Sequence, residues 1–241
     1  MKKALGVIPV RFHSTRFPGK PLAPILGKPM IQWVYEGAKK AKFLERIIIA
    51  TDNDRIFWTA EKIGAEVMMT SAEHLSGTER AAEVAAKVDA PIVINIQGDE
   101  PLVDGQMLDG LVGALQDESI PMATLMAKVY DFGLFDESHI VKVITDKNDY
   151  ALYFSRAPLP YQTVDFYYQH VGIYGYQRDF LLNFHRLNPS RLERIEKLEQ
   201  LRVLENGLRI KMIEIPIATL SVDTPHDIIK VENFLNKRND E

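Results

Sequence analysis

The 241-residue sequence predicts an α/β fold: a mostly parallel sheet covered by helices, with an inserted antiparallel lobe over about residues 122–210. Three observations predict it. Short apolar runs alternate with segments of helical period over roughly the first hundred residues. Beyond residue 122 the alternation loosens into strand-like runs with less helix between them. Hydrophobic residues make up 46% and charged residues 26%, an ordinary globular balance with enough apolar matter for a sizeable core.

Taken in order, residues 4–9 read as a buried strand that follows the N-terminus directly. The run is too short for a signal-peptide core. Residues 30–43 place Ile31, Val34, Tyr35, Ala38 and Ala41 on one helical face. Strands are expected at 46–51, 66–69 and 91–96, and helices at 54–63 and 78–88. In the lobe, 122–128, 141–146, 151–154 and 169–176 read as strands. Residues 190–204 read as one helix: Ser190 and Glu193 form a capping box, Leu192, Ile195 and Leu201 a stripe, and Asn206-Gly207 the stop. Residues 210–216 are a strand, and Thr224-Pro225 opens the last helix with threonine as N-cap and proline at N1. There is no linker, repeat or low-complexity stretch, so residues 1–241 are expected to form a single domain.

Composition excludes several classes. There is no cysteine, so disulfides, thiolate zinc sites and cysteine nucleophiles are absent, in keeping with a reducing, cytoplasmic setting. No apolar stretch reaches membrane-spanning length. The net charge of −4 argues against a nucleic-acid surface. The six histidines (13, 74, 139, 170, 185, 226) form no HxxxH or HxH pair. Neither a GxGxxG, a Walker A loop nor a G-x-S-x-G elbow occurs.

The local charge distribution is informative. Residues 1–35 carry six cations (Lys2, Lys3, Arg11, Arg16, Lys20, Lys28) and no acid. Ligands of parallel α/β sheets sit beyond the carboxyl ends of the strands. The segment from Pro9 to Leu22 follows the first strand and combines Arg11, Arg16 and Lys20 with Ser14, Thr15 and Gly19, a composition able to wrap polyphosphate. His13 stands beside these cations, within reach of a phosphate. Asp99 in Gln97-Gly98-Asp99-Glu100-Pro101 and Asp223 in Val222-Asp223-Thr224-Pro225 each follow an apolar segment. Either acid alone reads equally well as a turn or helix cap. Together they make a magnesium seat shared with phosphate oxygens, since Mg²⁺ typically takes one or two protein carboxylates. Ser76-Gly77-Thr78 reads as a capped helix start whose N–H groups can meet a base or phosphate.

In combination these segments resemble the 3-deoxy-manno-octulosonate (KDO) cytidylyltransferases. The resemblance runs in order through Val7–Arg11, Ser14–Leu22, Ala50–Asp52, Ser76–Arg80, Gln97–Pro101, Ala151–Arg156, His170–Tyr174, Leu198–Arg202 and Val222–Pro225. It implies a Rossmann-like nucleotide-diphospho-sugar transferase fold, CTP and a sugar acid as substrates, Mg²⁺ as cofactor, a homodimer and a role in lipopolysaccharide synthesis. By position it implies that Arg11, Ser14, Lys20, Ser76, Gly77, Arg80 and Gln97 bind CTP, with Arg11, Lys20, Asp99 and Asp223 catalytic. Asp99 and Asp223 hold the metal, and Arg156, His170, Tyr174, Glu199 and Gln200 the sugar acid. His13, Tyr161, the short segment 162–169 and Ser221 depart from the family pattern. They keep the 8-amino analogue of KDO open as acceptor. A catalytically silent CTP-binding sensor is the alternative of another class.

Overall fold

The structure, a computed structural model, describes residues 2–12, 17–163 and 165–239. In chain order the elements are β1 (Ala4–Val10), a one-turn 3₁₀ helix (Lys20–Leu22), β2 (Pro24–Ile25), β3 (Lys28–Pro29), α1 (Met30–Ala38), β4 (Leu44–Thr51), α2 (Asp54–Lys62), β5 (Glu66–Met69), α3 (Gly77–Lys87), β6 (Ile92–Asn95) and α4 (Gly105–Ala114). They continue with β7 (Met122–Val129), β8 (Lys142–Thr145), β9 (Ala151–Ser155), β10 (Tyr167–Gln177), α5 (Arg178–Asn183), α6 (Arg191–Glu196), α7 (Leu201–Glu205), β11 (Ile210–Ile215) and α8 (Pro225–Asn239). Among the described residues no helix is long and apolar enough to cross a membrane. The chain divides into two compact units, one of Lys2–Asp109 with Thr219–Glu241, the other of Gly110–Ala218.

The first unit is built on four parallel strands in the order β6-β1-β4-β5. All seven residues of β1 are buried, as an apolar run covered on both faces requires. Val7 pairs with Ile48 of β4 and Asn95 of β6. Parallel pairing puts the loops after β1, β4, β5 and β6 at one edge. The last helix, α8, packs through Val231 onto Ile25, Met30 and Val222. The Leu26 N–H donates to Glu232 at 2.8 Å. That packing fixes the segment that precedes α8.

The second unit has strand order β11-β7-β10-β8-β9. β10 runs antiparallel to β7 and β8, and β9 antiparallel to β8, whereas β11 is parallel to β7. The register of β10 on β7 slips between Val171 and Tyr174. This is the antiparallel character expected of the lobe.

Local differences from the sequence reading have identifiable causes. The first helix ends at Ala38, not at residue 43, and β4 begins at Leu44. Gly37 faces the Val103 carbonyl so closely that a Cβ would lie 2.2 Å from it, and Asp109 takes up the N–H groups of Lys42 and Phe43. The expected helix over 190–204 is two helices, α6 and α7, separated at Lys197, whose φ is 54°. α4 and α5 were not anticipated. Gly105, Gly110 and Gly113 lower the helical propensity of α4. A Cβ at Gly105 would meet the Lys40 carbonyl carbon and oxygen at 2.4 Å, so contact with another part of the chain demands this glycine.

Gly105→Ala forces backbone against backbone. It is expected to cost about 1–3 kcal/mol, read as a lower urea midpoint at unchanged m-value.

Candidate functional site

The carboxyl edge of the first unit's sheet gathers the first group of expected residues. The loop after β1 starts with Arg11, which is exposed. Ser14 and His13 lie outside the described residues. The loop ends at Gly19, whose φ of 73° is left-handed and favours glycine, and turns there into the 3₁₀ helix that begins with Lys20.

Lys20 Nζ donates to Asp99 Oδ2 at 2.7 Å and to the Val222 carbonyl at 2.8 Å, and lies 3.7 Å from Asp223 Oδ1. Its side chain is 14% exposed, so the charge sits in a partly desolvated cleft. The Val222 N–H donates to the Asp99 carbonyl at 2.9 Å and fixes the two acidic segments side by side. Two acids 124 positions apart in sequence thus converge on one cation. A carboxylate pair that can share a single positive charge fits a magnesium ion arriving on phosphate.

Glu100, next in the chain, is buried. Burial first, and then the Asp99 charge, push its carboxyl up to about 8, so it is mainly protonated at neutral pH. Its Oε2 has no hydrogen-bond partner among the described residues. A neutral Glu100 leaves Lys20 facing two negative charges rather than three.

Ser76 caps α3: its hydroxyl accepts the Glu79 N–H at 3.2 Å. Gly77 stands where a Cβ would lie 3.1 Å from Pro9 and 3.4 Å from Gln97 Oε1, which places it beside both. Gln97 Nε2 donates to Asn95 Oδ1 at 3.4 Å, and Asn95 Nδ2 is buried without a partner among the described residues. The Arg80 guanidinium is buried, donating to Asp52 at 2.8 Å and to Thr70. Its charge ties α3 to the ends of β4 and β5. Asp52 is a site-edge residue to which sequence reasoning gave no role; its signal was an acid directly after a buried strand.

The second group lies in the second unit. His170 on β10 is buried, and burial lowers its imidazole to about 3, so it is neutral. Thr124 Oγ1 lies 2.8 Å from the Ile173 carbonyl, 3.3 Å from the Val171 carbonyl and 3.0 Å from His170 Nε2. The single hydroxyl proton goes to a carbonyl, so His170 Nε2 is the donor and Nδ1 the acceptor. The Tyr174 hydroxyl donates to Gln200 Oε1 at 3.4 Å. Gln200 is 3% exposed and its Nε2 has no partner among the described residues. A buried, unpaired amide donor is costly unless a ligand oxygen completes it. Glu199 is half-buried beside it.

Arg156 is placed differently from a free anion binder. Its Nε donates to the Glu196 carbonyl at 2.7 Å, Nη1 to the Ser138 carbonyl at 2.9 Å and Nη2 to the Lys197 carbonyl at 3.3 Å. Lys142, buried, donates to the carbonyls of Glu137, Ile140 and Arg156. Neither that lysine nor Glu196, whose carboxylate accepts from Tyr153, Ser155 and the Arg156 N–H, was singled out from sequence, because their partners are brought together only by the fold and no motif records them.

Comparison with known proteins finds relatives over nearly the whole chain. A family model described as cytidylyltransferase matches residues 5–211. A 3-deoxy-manno-octulosonate cytidylyltransferase from Solibacter usitatus is 50% identical over 238 residues, covering 97% of this chain and 94% of the relative. One from Syntrophotalea carbinolica is 47% identical over 243 residues, covering 95% and 97%. A CMP:2-keto-3-deoxy-manno-octonic acid synthetase solved with CTP is 41% identical, with a TM-score of 0.92 over 98% of this chain and 99% of that one. A 4-diphosphocytidyl-2C-methyl-D-erythritol synthase from Anaerococcus prevotii, 14% identical at a TM-score of 0.67, shares the fold.

His170 gives a pH prediction. Its folded value of about 3 lies below the ordinary 6.5, so between those pH values the unfolded chain binds the extra proton and stability falls as pH falls. Wild type is expected to lose up to about 1.4 kcal/mol per pH unit more than His170→Gln below pH 6.5, measured by urea unfolding at pH 7, 6 and 5.

Proposed function

Because the chain belongs to the KDO cytidylyltransferase family, we propose that it transfers CMP from CTP to the anomeric hydroxyl of KDO and releases pyrophosphate. The observation that carries the reading is the convergence of Lys20, Asp99 and Asp223 at the carboxyl edge of a parallel sheet. In this reaction the anomeric oxygen bonds to the α-phosphorus as the α–β phosphoanhydride breaks. The hydroxyl proton passes to solvent. Such a displacement depends on positioning and charge neutralisation more than on a covalent nucleophile.

The residues divide the work as follows. Arg11, Ser14 and Lys20 bind the triphosphate, and Arg11 and Lys20 neutralise charge as pyrophosphate departs. Ser76, Gly77 and Gln97 line the cytidine pocket. Arg80 forms its wall through the pair with Asp52. Asp99 and Asp223 are the carboxylates that would hold magnesium. When bound, the ion supplies Lewis-acid polarisation of the α-phosphate and lowers the pKa of the attacking hydroxyl. In the second unit, Gln200 Nε2 offers a donor to a carboxylate or hydroxyl oxygen of the sugar acid. Neutral His170 and Tyr174 orient that amide's surroundings, Glu199 accepts sugar hydroxyls, and Arg156 supports the segment from its β9 end. A cytoplasmic homodimer that supplies activated sugar for lipopolysaccharide synthesis belongs to the same reading. The 8-amino analogue of KDO calls on the same chemistry at a different acceptor.

Pyrophosphate release is measured with CTP or UTP as donor and KDO, its 8-amino analogue or sialic acid as acceptor, with and without Mg²⁺. Release with CTP, Mg²⁺ and KDO is expected. Release mainly with the amino sugar would keep the mechanism and change the substrate. No release by protein that binds CTP would favour a silent sensor. Lys20→Ala and Asp99→Ala are each expected to lower turnover by about 10²–10³-fold or more in protein with wild-type circular dichroism. Normal turnover by Asp99→Ala in Mg²⁺ would sink the metal assignment.

A further inference from the structure

The junction between α6 and α7 carries Glu199 and Gln200, and one carboxylate four residues before Gln200 holds it in place. Glu196 ends α6. Its Oε1 accepts the Ser155 hydroxyl at 2.8 Å and the Tyr153 hydroxyl at 3.3 Å, and its Oε2 accepts the Arg156 N–H at 2.9 Å. The Glu196 carbonyl accepts Arg156 Nε, and the Lys197 carbonyl accepts Arg156 Nη2.

These contacts decide the backbone. In a continuous helix the carbonyls of 196 and 197 would accept the N–H groups of 200 and 201. Here Arg156 takes both carbonyls, Lys197 turns left-handed, and the Leu201 N–H donates to the Leu198 carbonyl instead. Leu198 and Leu201 are then buried, and Gln200 is left 3% exposed with an Nε2 that has no partner among the described residues. The Glu196 carboxylate, through three donors on the end of β9, is the part of this junction that comes from a side chain on α6 itself.

We propose that Glu196 is a positioning residue for the sugar acid. It touches no reacting atom. It fixes the Lys197–Gln200 turn against β9 so that Glu199 and Gln200 stand where the acceptor needs them. This rests on the reading that those two residues bind the sugar acid, and it adds a specific mechanical requirement to it.

Two measurements separate the inference from that reading. The first needs no substrate: amide hydrogen exchange in the ligand-free protein. Glu196→Ala, and the milder Ser155→Ala, are expected to speed exchange at Leu201, Arg202 and Val203, whose N–H groups close the turn, and to leave Leu22 and Ala23 beside Lys20 unchanged. The second is steady-state kinetics. Loss of hydrogen bonds to a charged group is expected to raise the KM for KDO about tenfold or more in Glu196→Ala, with the dissociation constant for CTP within about twofold of wild type. Glu196→Gln keeps one acceptor oxygen but turns an N–H toward a donor, so it is expected to fall between Ala and wild type.

Exchange unchanged at 201–203 in both variants overturns the inference. So does faster exchange with an unchanged KM for KDO, or an equal loss of CTP and KDO affinity. If wild type turns over no sugar acid while exchange responds as expected, the functional reading fails and the mechanical role of Glu196 stands. Should Glu196→Ala not fold, Ser155→Ala alone decides, with a smaller KM change in the same direction.

Discussion

The Lys20 ammonium joins pieces of chain that are 79 and 202 residues apart, donating to Asp99 and to the Val222 carbonyl. A lysine charge in a partly closed cleft has to be answered by nearby oxygens, and here the oxygens come from the ends of two separate segments. The rest of the nucleotide edge is arranged around that requirement. β6 delivers Asp99, α8 packing delivers Val222 and Asp223, and left-handed Gly19 turns the first loop so that Lys20 reaches both. The reciprocal bond from the Val222 N–H to the Asp99 carbonyl makes the arrangement rigid on the acid side as well.

Charge balance at this edge follows from burial as much as from sequence. Glu100 is next to Asp99 but buried, and it is held mainly neutral. The acids that remain charged face a cation. Arg80 and Asp52 form a second pair, almost closed to water, that fixes α3 against the sheet. A buried pair of this kind contributes less to net stability than its geometry implies, because both ions lose hydration. Its effect is to fix the position of Ser76 and Gly77, four and three residues ahead of Arg80 at the start of the same helix.

The second unit solves a different problem, holding polar groups in a nearly dry setting. The Thr124 hydroxyl donates to a carbonyl where β10 slips on β7, nearest that of Ile173 at 2.8 Å, and sets the His170 tautomer in the same stroke. Lys142 and Arg156 do similar work for main-chain carbonyls around the end of β9. The Lys142 ammonium and three of the five Arg156 N–H donors go here to main-chain carbonyls. Gln200 Nε2, buried and without a partner among the described residues, is on the segment that this scaffolding supports.

Much of the architecture was legible in the sequence because its signals are local. Buried strands announce themselves as apolar runs, and the Ser190–Glu193 capping box forms as read, with the Ser190 hydroxyl accepting the Glu193 N–H at 3.2 Å. Parallel strands send their following loops to one edge, so the loops that carry Lys20 and Asp99 were legible as neighbours, with Asp223 added by its own apolar segment. Sequence did not reveal what those side chains would bond to. It read residues 190–204 as one helix, since cap, stripe and stop all agree within that window, while the residue that breaks it, Arg156, lies 40 positions from Glu196. It passed over α4 because three glycines weaken the local signal, although one of them is required by the Lys40 backbone. Local periodicity and capping act over a few residues and are written in the chain; the choice among carbonyls, carboxylates and cations far apart in sequence exists only once the tertiary structure has brought them within 3 Å or so of one another.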